Sequence, residues 1–310
     1  MDHTRTDRIR AWADTYKKSQ QCTETKQSIL VYGLTHYKAI KGRTPYSTAC
    51  KVTVSNADTL VKAKEFVEAG YNPMILNMAC FTTPGGGVDN GARAQEEELF
   101  RRTTLSQTLD KTKLERGSYP LHNAIYSPKI LIIKDEDYVD MMPVPVGCIS
   151  VSAPKMPMVA IHADAESYAS RLDRCTMSEK IEMIFLTGIL YGHDSLVLGA
   201  LGCGAYRNPV TEVRDIFLEM LMTYKEYFKA IDFAVYSRTK GDRNFEVFCK
   251  LPKLIEEYGL ADTQPDMYPS SDSVSSNEEE LEVEKTENVV TKPVEEEGTE
   301  EEMEGVGMFD

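Results

Sequence analysis

The 310-residue sequence has few side chains suited to binding a metal. It contains five histidines, which are scattered, and its seven cysteines form no C-x-x-C pair. Structural zinc sites usually require closely spaced Cys or His ligands, so the spacing predicts no metal site. An odd number of dispersed cysteines is typical of free thiols in a reducing compartment.

The sequence also lacks a long apolar run. No uninterrupted apolar stretch approaches the ~20 residues that span a bilayer, and residues 1–7 lack the basic-then-apolar order of a signal peptide. We therefore expect an intracellular protein, cytoplasmic or nuclear, that makes no contact with a membrane.

Basic residues are scarce at one end of the chain only. The net charge is −14, but residues 262–310 contain 17 acidic and two basic residues, so residues 1–261 carry about +1. The segment 262–310 is also poor in apolar residues, which predicts an acidic disordered tail. A nearly neutral body gives no reason to expect direct binding to DNA.

The remaining sequence alternates between the two kinds of secondary structure. Residues 5–18 place apolar residues on one helical face, and Asn56, Thr176 and Asn208 each look like the start of a further helix. A last helix is predicted over 244–258. Short apolar runs predict strands at Ile29–Tyr32, Val52–Val54, Met74–Ala79, Ile130–Ile133, Ile149–Val151, Leu196–Leu201 and Phe233–Tyr236. This alternation predicts one α/β domain with a parallel or mixed sheet.

Two glycine-rich segments follow predicted strands. Gly85-Gly86-Gly87 comes after Met74–Ala79, and Gly199-x-x-Gly202-x-Gly204 follows Leu196–Leu198. Glycines let the backbone approach a ligand closely, and the second segment also directs a helix N-terminus toward the same point, which suits a diphosphate. Taken by itself, the first segment favours a mobile loop over a binding loop. The second departs from the G-x-G-x-x-G spacing of redox dinucleotide folds, which makes an oxidoreductase the weaker hypothesis.

A run of carboxylates, Gln95-Glu96-Glu97-Glu98, begins a predicted helix behind the first glycine segment. Such a run ordinarily complements the helix dipole and does no chemistry. Its position behind two strand-exit loops makes these glutamates candidates for catalysis. Consecutive helical residues diverge by ~100°, so the three carboxylates are not expected to share one target.

The order of these motifs resembles a known family. Three glycines, seven residues and then Gln-Glu-Glu are similar to the signature of poly(ADP-ribose) glycohydrolases, and the sequence around Pro84-Gly-Gly-Gly-Val is similar to their microbial branch. The segments Tyr126-Ser-Pro, Ser152-Ala-Pro, Gly202-Cys-Gly-Ala-Tyr and Phe233-Ala-Val-Tyr follow in that branch's order. The resemblance covers roughly residues 5–250.

The resemblance implies a macrodomain-like fold with three α/β/α layers and a mixed central sheet. It implies an N-terminal helical extension (1–50), a catalytic core (51–261) and the acidic tail (262–310). Glu97 would be the catalytic acid, and Glu96 would hold ribose hydroxyls and orient the scissile bond. The other implied substrate-binding residues are Asn77, Gly85, Gly86, Gly87, Val88, Gln95, Gly202, Cys203, Gly204, Ala205 and Tyr206. Cys80 departs from the pattern, because macrodomain-like proteins often have a polar residue there and a thiol is a weak hydrogen-bonding group.

The expected reaction is hydrolysis of the bond between two riboses, chiefly from the free end of the polymer. Glu97 would protonate the leaving oxygen and then activate water. No cofactor is expected. The expected partners are poly(ADP-ribose), ADP-ribose and poly(ADP-ribosyl)ated proteins, and the chain is expected to be a monomer. Two alternatives stay open: a mono(ADP-ribosyl) hydrolase, and a reader that binds ADP-ribose without cleaving it.

Overall fold

The computed structural model describes residues 3–31, 34–109, 124–163, 165–237, 239 and 241–261. The helices are α1 (Arg5–Gln20), α2 (His36–Ile40), α3 (Thr59–Glu68), α4 (Gln95–Arg102), α5 (Leu105–Thr108), α6 (Arg171–Leu190), α7 (Val210–Tyr224), α8 (Arg243–Phe248) and α9 (Leu251–Ala261). The strands are β1 (Ile29–Val31), β2 (Lys51–Ser55), β3 (Pro73–Met78), β4 (Ala124–Lys134), β5 (Asp140–Val151), β6 (Val159–His162), β7 (Ala165–Tyr168), β8 (Ser195–Leu198) and β9 (Ala230–Ala234). The predicted disordered tail, 262–310, lies outside the described residues.

A seven-stranded mixed sheet forms the centre, in the order β1-β4-β5-β3-β8-β9-β2. β4 pairs antiparallel with both β1 and β5, whereas the pairs from β5 through β2 are parallel. The carboxyl ends of β5, β3, β8, β9 and β2 therefore meet at one edge, where ligands collect in sheets of this kind. Each predicted strand overlaps an observed strand, and the mixed sheet is confirmed. The hairpin of β6 and β7, a separate two-stranded sheet, was not predicted.

Helices cover both faces of the sheet, as the three-layer prediction requires. Met74 and Leu76 of β3 pack into the cluster that contains α6 and α7. Ile75, between them, packs into the opposite cluster with residues of α3, α4 and α5. Alternate burial on two covered faces explains why the strands are apolar almost throughout.

Helix α1 packs on the layer that contains α4. The Arg8 Nε atom donates to the Gly91 carbonyl at 2.7 Å, and the Trp12 indole donates to Asp89 Oδ1 at 2.6 Å. The Thr15 hydroxyl also donates to the carbonyl of Arg101 at the end of α4. Helix α1 therefore holds the segment that joins the three glycines to α4.

Three predicted helix starts are wrong. Helix α3 is capped by Asp58, whose side chain accepts from the N–H of Leu60, so the Asn56 prediction fails. Helix α6 begins at Arg171 with Ser170 as its N-cap, which places Thr176 inside the helix. Helix α7 begins at Val210, and Asn208 does not cap it. Residues able to cap a helix are common in this sequence, so long-range contacts decide which of them stands at the start of each helix.

The last predicted helix is divided in two. Cys249 and Lys250 separate α8 from α9, and Pro252 is the second residue of α9. Proline has no N–H to donate to the preceding turn, but it is tolerated in the first turn of a new helix. No helix in the described ranges is long and apolar enough to cross a membrane.

Candidate active site

Gln95 fixes the start of α4 against the carboxyl end of β3. Its Oε1 atom accepts from the Met78 N–H at 2.9 Å, and its Nε2 atom donates to the Leu76 carbonyl at 2.6 Å. The β3–β8 pairing ends at Ile75. The Gln95 amide therefore forms hydrogen bonds with β3 backbone groups beyond that point and holds the following glutamates at the sheet edge.

Glu96 is buried directly over the end of β3. Its Oε2 atom accepts from the Cys80 N–H at 2.7 Å, and its Oε1 atom accepts from Asn77 Nδ2 at 3.3 Å. The same Asn77 nitrogen donates to the Ser150 hydroxyl of β5 at 3.0 Å. Among the described residues, the buried Asn77 Oδ1 atom has no hydrogen-bond partner. An orphaned acceptor of this kind favours a ligand hydroxyl or a water at the site.

Glu97 reaches from the helix into the triple-glycine turn. Its Oε1 atom accepts from the Gly87 N–H at 2.9 Å. Gly86 has a φ of +50°, and an ideal Cβ on it would lie 2.5 Å from Glu97 Oε1 and 3.5 Å from Glu96 Oε2. A side chain at Gly86 would therefore displace the Glu97 carboxylate.

Two of the three carboxylates thus converge on one glycine, and the third does not, in keeping with the expectation that the three would not share one target. Glu side chains are long enough to bridge ~100° between neighbouring positions, and Cβ atoms point toward the helix N-terminus, where the glycines lie. Glu98 does diverge: its Oε1 atom pairs with Arg101 at 2.8 Å and accepts from the Tyr138 hydroxyl at 3.1 Å.

The rest of the triple-glycine turn is packed against the protein. Gly85 has a φ of +79°, and a Cβ there would lie 2.7 Å from the Phe100 ring. Val88 is buried in the core, and its N–H donates to the Gly85 carbonyl at 3.0 Å. The turn is therefore a fixed wall beside Glu97.

The second glycine segment, after β8, is held by Asn208. The Asn208 Nδ2 atom donates to the carbonyls of Pro154 at 2.9 Å and Gly202 at 3.0 Å. Its Oδ1 atom accepts from the Tyr168 hydroxyl at 2.8 Å. Gly202 has a φ of +72°, and a Cβ on it would lie 2.5 Å from both Ala153 Cβ and Asn208 Nδ2.

The tip of this segment is open, whereas its base is closed. Gly204 and Ala205 are exposed, and a Cβ on Gly204 would meet no atom within 4 Å. The Cys203 side chain instead packs against the core, and burial raises the pKa of its thiol. The exposed backbone at 204–205 is the part that a ligand can approach.

Tyr206 connects the two loops. Its hydroxyl accepts from the Phe81 N–H at 2.6 Å, so the residues after β8 touch those after β3. Burial raises the pKa of Tyr206 to about 12, which keeps the phenol neutral near pH 7. The two loops and the two glutamates therefore surround one space at the sheet edge.

Comparison with known proteins finds one matching family. Residues 6–135 match the family described as microbial-type PARG, catalytic domain, where PARG denotes poly(ADP-ribose) glycohydrolase. The matched residues include the triple glycine, Glu96 and Glu97. Over residues 6–135 the chain is similar to the microbial-type PARG family. It is a glycoside hydrolase of the mixed α/β fold described above.

Solved PARG structures have the same fold. PARG from Thermomonospora curvata superposes with a TM-score of 0.67 at 22% sequence identity, covering 79% of this chain and 98% of that one. A second structure of that protein, bound to the inhibitor ADP-HPD, has a TM-score of 0.65. PARG from Deinococcus radiodurans in complex with ADP-ribose is 26% identical, with a TM-score of 0.62, covering 74% of this chain and 95% of that one. No curated protein sequence matches the chain.

Cys80 is the position in the candidate site that departs from the usual pattern. Burial opposes ionisation of its thiol, but hydrogen bonds with the Thr82 hydroxyl, the backbone of Thr82 and Thr83, and the Tyr206 hydroxyl outweigh burial and lower its pKa. The Cys80 N–H, rather than the thiol, holds Glu96. The residue therefore positions a carboxylate through its backbone whatever its side chain.

Sequence reasoning missed the residues that hold the loops of the candidate site. Ser150, Phe81 and Asn208 all contact predicted site residues, and Asn208 was interpreted only as a helix cap. Their contacts join residues 40 to 125 positions apart. The sequence does not reveal which of these distant segments come together. Within the described ranges, no three His, Cys, Asp or Glu side chains are grouped so as to bind a metal.

Proposed function

We propose that this PARG-family chain hydrolyses the ribose–ribose O-glycosidic bonds of poly(ADP-ribose) and releases ADP-ribose, with Glu97 as general acid and base. The convergence of Glu96 and Glu97 on Gly86 carries the proposal. The absent Cβ of Gly86 leaves room beside the Glu97 carboxyl, where a side chain would lie within 2.5 Å of it. A ribose lying against Gly86 would bring its glycosidic oxygen to Glu97.

The two glutamates would have different tasks. Both Glu96 oxygens accept hydrogen bonds from the protein, one from a backbone N–H and one from Asn77. Those bonds hold the carboxyl in a fixed position, which suits a group that accepts bonds from ribose hydroxyls. Asn77 Oδ1 would accept another hydroxyl, which would satisfy its buried oxygen.

Glu97 would perform the chemistry. The bond between C1 of one ribose and the oxygen of the next would break as the Glu97 proton moves to that oxygen, leaving an oxocarbenium-like centre. The resulting carboxylate would then take a proton from a water that attacks C1, which restores the acid. The Gly87 N–H would hold the carboxylate in place through both steps.

Gly202–Ala205 would hold the diphosphate through exposed backbone at Gly204 and Ala205, and Tyr206 would lie against the terminal ribose. The substrate would then run from the end of β3, past β8, toward β9. Tyr236, which is 63% exposed just after β9, would provide an aromatic surface for adenine at that end.

Cleavage would proceed chiefly from the free end of the polymer. The contact between Tyr206 and Phe81 bridges the two loops around the terminal ribose, which supports a closed pocket for the terminal unit. The enzyme would act as a monomer on poly(ADP-ribosyl)ated proteins. It would stop at the protein-linked unit, because the leaving group there is an amino-acid side chain.

Incubation of the purified chain with labelled polymer, and separately with mono-ADP-ribosylated protein, tests the proposal. We expect free ADP-ribose from the polymer and no release of the final protein-linked unit. Release from the mono-ADP-ribosylated protein alone would identify a mono(ADP-ribosyl) hydrolase. Binding without release from either substrate would identify a reader. Long free oligomers before monomer in early samples would overturn cleavage from the free end.

A further inference from the structure

A cationic and apolar surface follows β5, beside the candidate active site. It consists of Lys155, Met156, Met158 and Arg207, and we call it the β5 rim. All four residues are exposed, Met156 at 55% and Met158 at 74%. No ion pair joins Lys155 or Arg207 to any other described residue. The hydrolytic residues proposed above do not include any part of this surface.

The backbone fixes the β5 rim to the active-site loops. The Met156 N–H donates to the Tyr206 carbonyl at 2.9 Å, which brings the two cationic residues to neighbouring backbone positions. Met156 has a φ of +52° and Arg207 a φ of +54°. A left-handed backbone is uncommon for side chains of this size, and such strain tends to occur at ligand-binding sites.

The order of the strands gives the β5 rim its place along the substrate. The sheet runs β5, β3, β8, β9, and under the proposed function the bound terminal unit extends from β3 toward β9. The polymer that continues beyond the scissile bond must leave from the ribose at β3. Lys155, Met156 and Met158 follow β5, which lies on the other side of β3 from β8 and β9. Arg207 lies in the loop after β8, which meets them through the Met156 N–H. The continuing chain would pass on the β5 side of β3, along this junction.

We propose that the β5 rim binds the ADP-ribose unit on the far side of the scissile bond. This unit carries a diphosphate and an adenine. Lys155 and Arg207 match the charge of the diphosphate, and the exposed methionines provide an adaptable, polarisable surface for the base. The inference rests on the proposed function, because it takes the polymer as the substrate.

The β5 rim thereby makes a two-unit ligand a better ligand than ADP-ribose. Binding energy from the second unit also holds the scissile bond against Glu97. The same groups contribute nothing to binding of a single terminal unit. This difference in ligand preference distinguishes binding at the β5 rim from binding in the pocket that surrounds the terminal unit.

Binding to the uncleaving Glu97→Gln chain tests the proposal, with ADP-ribose and a purified two-unit oligomer as probes. We expect the oligomer to bind roughly tenfold more tightly than ADP-ribose at low salt. The Lys155→Ala/Arg207→Ala variant should lose that advantage and keep its ADP-ribose affinity within about twofold. Met158→Ser should lose part of it. The matched control Lys17→Ala/Lys253→Ala, on α1 and α9, should keep the advantage in full.

Two results would contradict the proposed binding role of the β5 rim. The oligomer could keep its advantage in the double variant, or both probes could weaken equally, which would place the cations in the terminal unit's pocket. A melting curve for each variant establishes that it is folded. The proposed function fails independently of the β5 rim if the unsubstituted chain releases no ADP-ribose from polymer.

Discussion

At the scale of single residues, two neighbouring glutamates in one helical turn have different environments. Glu97 faces the triple glycine, whereas Glu98 pairs with Arg101. The same substitution at the two positions therefore separates loss of a catalytic proton from a general change of charge.

Glu97→Gln should lower turnover of the polymer at least ~10²-fold while ADP-ribose affinity changes only a few-fold. The amide keeps the shape of the side chain, and its oxygen can still accept from the Gly87 N–H, but it has no acidic proton to transfer. Steady-state rates and calorimetric titration with ADP-ribose provide the measurement. Glu98→Gln is the matched control, with turnover expected near that of the unsubstituted chain. Equal losses at both positions would remove Glu97 from the mechanism.

Cys80 should be alkylated by iodoacetamide at lower pH than Cys50. The hydrogen bonds around Cys80 lower the pKa of its thiol despite burial, whereas burial raises the pKa of Cys50 to about 12. Thiolate is the reactive form, so Cys80 reacts first as pH rises. Peptide mass spectrometry across a pH series measures both rates, and saturating ADP-ribose should slow the reaction at Cys80 alone. Cys80→Ser identifies the peptide signal, and equal onset of labelling at both cysteines would refute the prediction.

At the scale of elements, helix α6 has an unusual buried group. The Lys180 side chain is 2% exposed, and its Nζ atom has no hydrogen-bond partner in the described part of the chain. Burial lowers the pKa of Lys180 to about 8, from an ordinary value of 10.5. Protonation of the buried Lys180 amine therefore destabilises the folded state.

Lys180→Met should stabilise the fold near pH 7. Below about pH 8 the amine is protonated in both states, so the cost of the buried charge is complete; the pKa difference corresponds to roughly 3 kcal/mol. The cost falls as pH rises from about 8 to about 10.5, because the folded state loses its proton first. Urea unfolding at pH 7 and pH 10 should show a gain of about 2 kcal/mol at pH 7 and a smaller one at pH 10.

Lys64→Met, at a more exposed position on α3, is the control for that comparison and should change stability little. A Lys180→Met chain that is less stable at pH 7 would mean that the amine has a favourable partner.

At the scale of the whole molecule, the excess negative charge and the folded core lie in different parts of the chain. The body is nearly neutral and contains the sheet, both core clusters and the candidate active site. Residues 262–310 carry the net −15 and lie outside the described residues. Predictions about that segment rest on its composition.

Deletion of residues 262–310 should leave the melting temperature and polymer turnover nearly unchanged. The segment has too little apolar content to join a core. Its removal should lower KM for the anionic polymer at low salt more than at high salt, because charge repulsion is screened beyond about 10 Å at 0.1 M salt. Calorimetry and a salt series of KM measure both effects. A large fall in melting temperature would show that the segment stabilises the fold.

The sequence by itself determined the alternation of strands and helices and the positions of the strands, and it indicated the candidate active-site residues. Apolar runs and helical periodicity are local, because burial on one face or two imposes them along each element. The Gly85–Gly87 and Gln95–Glu97 spacing is also local, since one loop and one helical turn contain both parts. These features could therefore be predicted before any contact was known.

The tertiary structure decided what joins distant segments. It showed that Gln95 anchors β3 and that Asn208 holds the loop after β8 and does not cap α7. It also showed that α6 is capped by Ser170 and begins at Arg171, so that Thr176 lies inside the helix. Each choice depends on which distant backbone groups need a partner, and those groups meet only when the sheet has formed. The convergence of Glu96 with Glu97 has the same cause: the helix alone separates the two carboxylates, and the packed glycine turn brings them together.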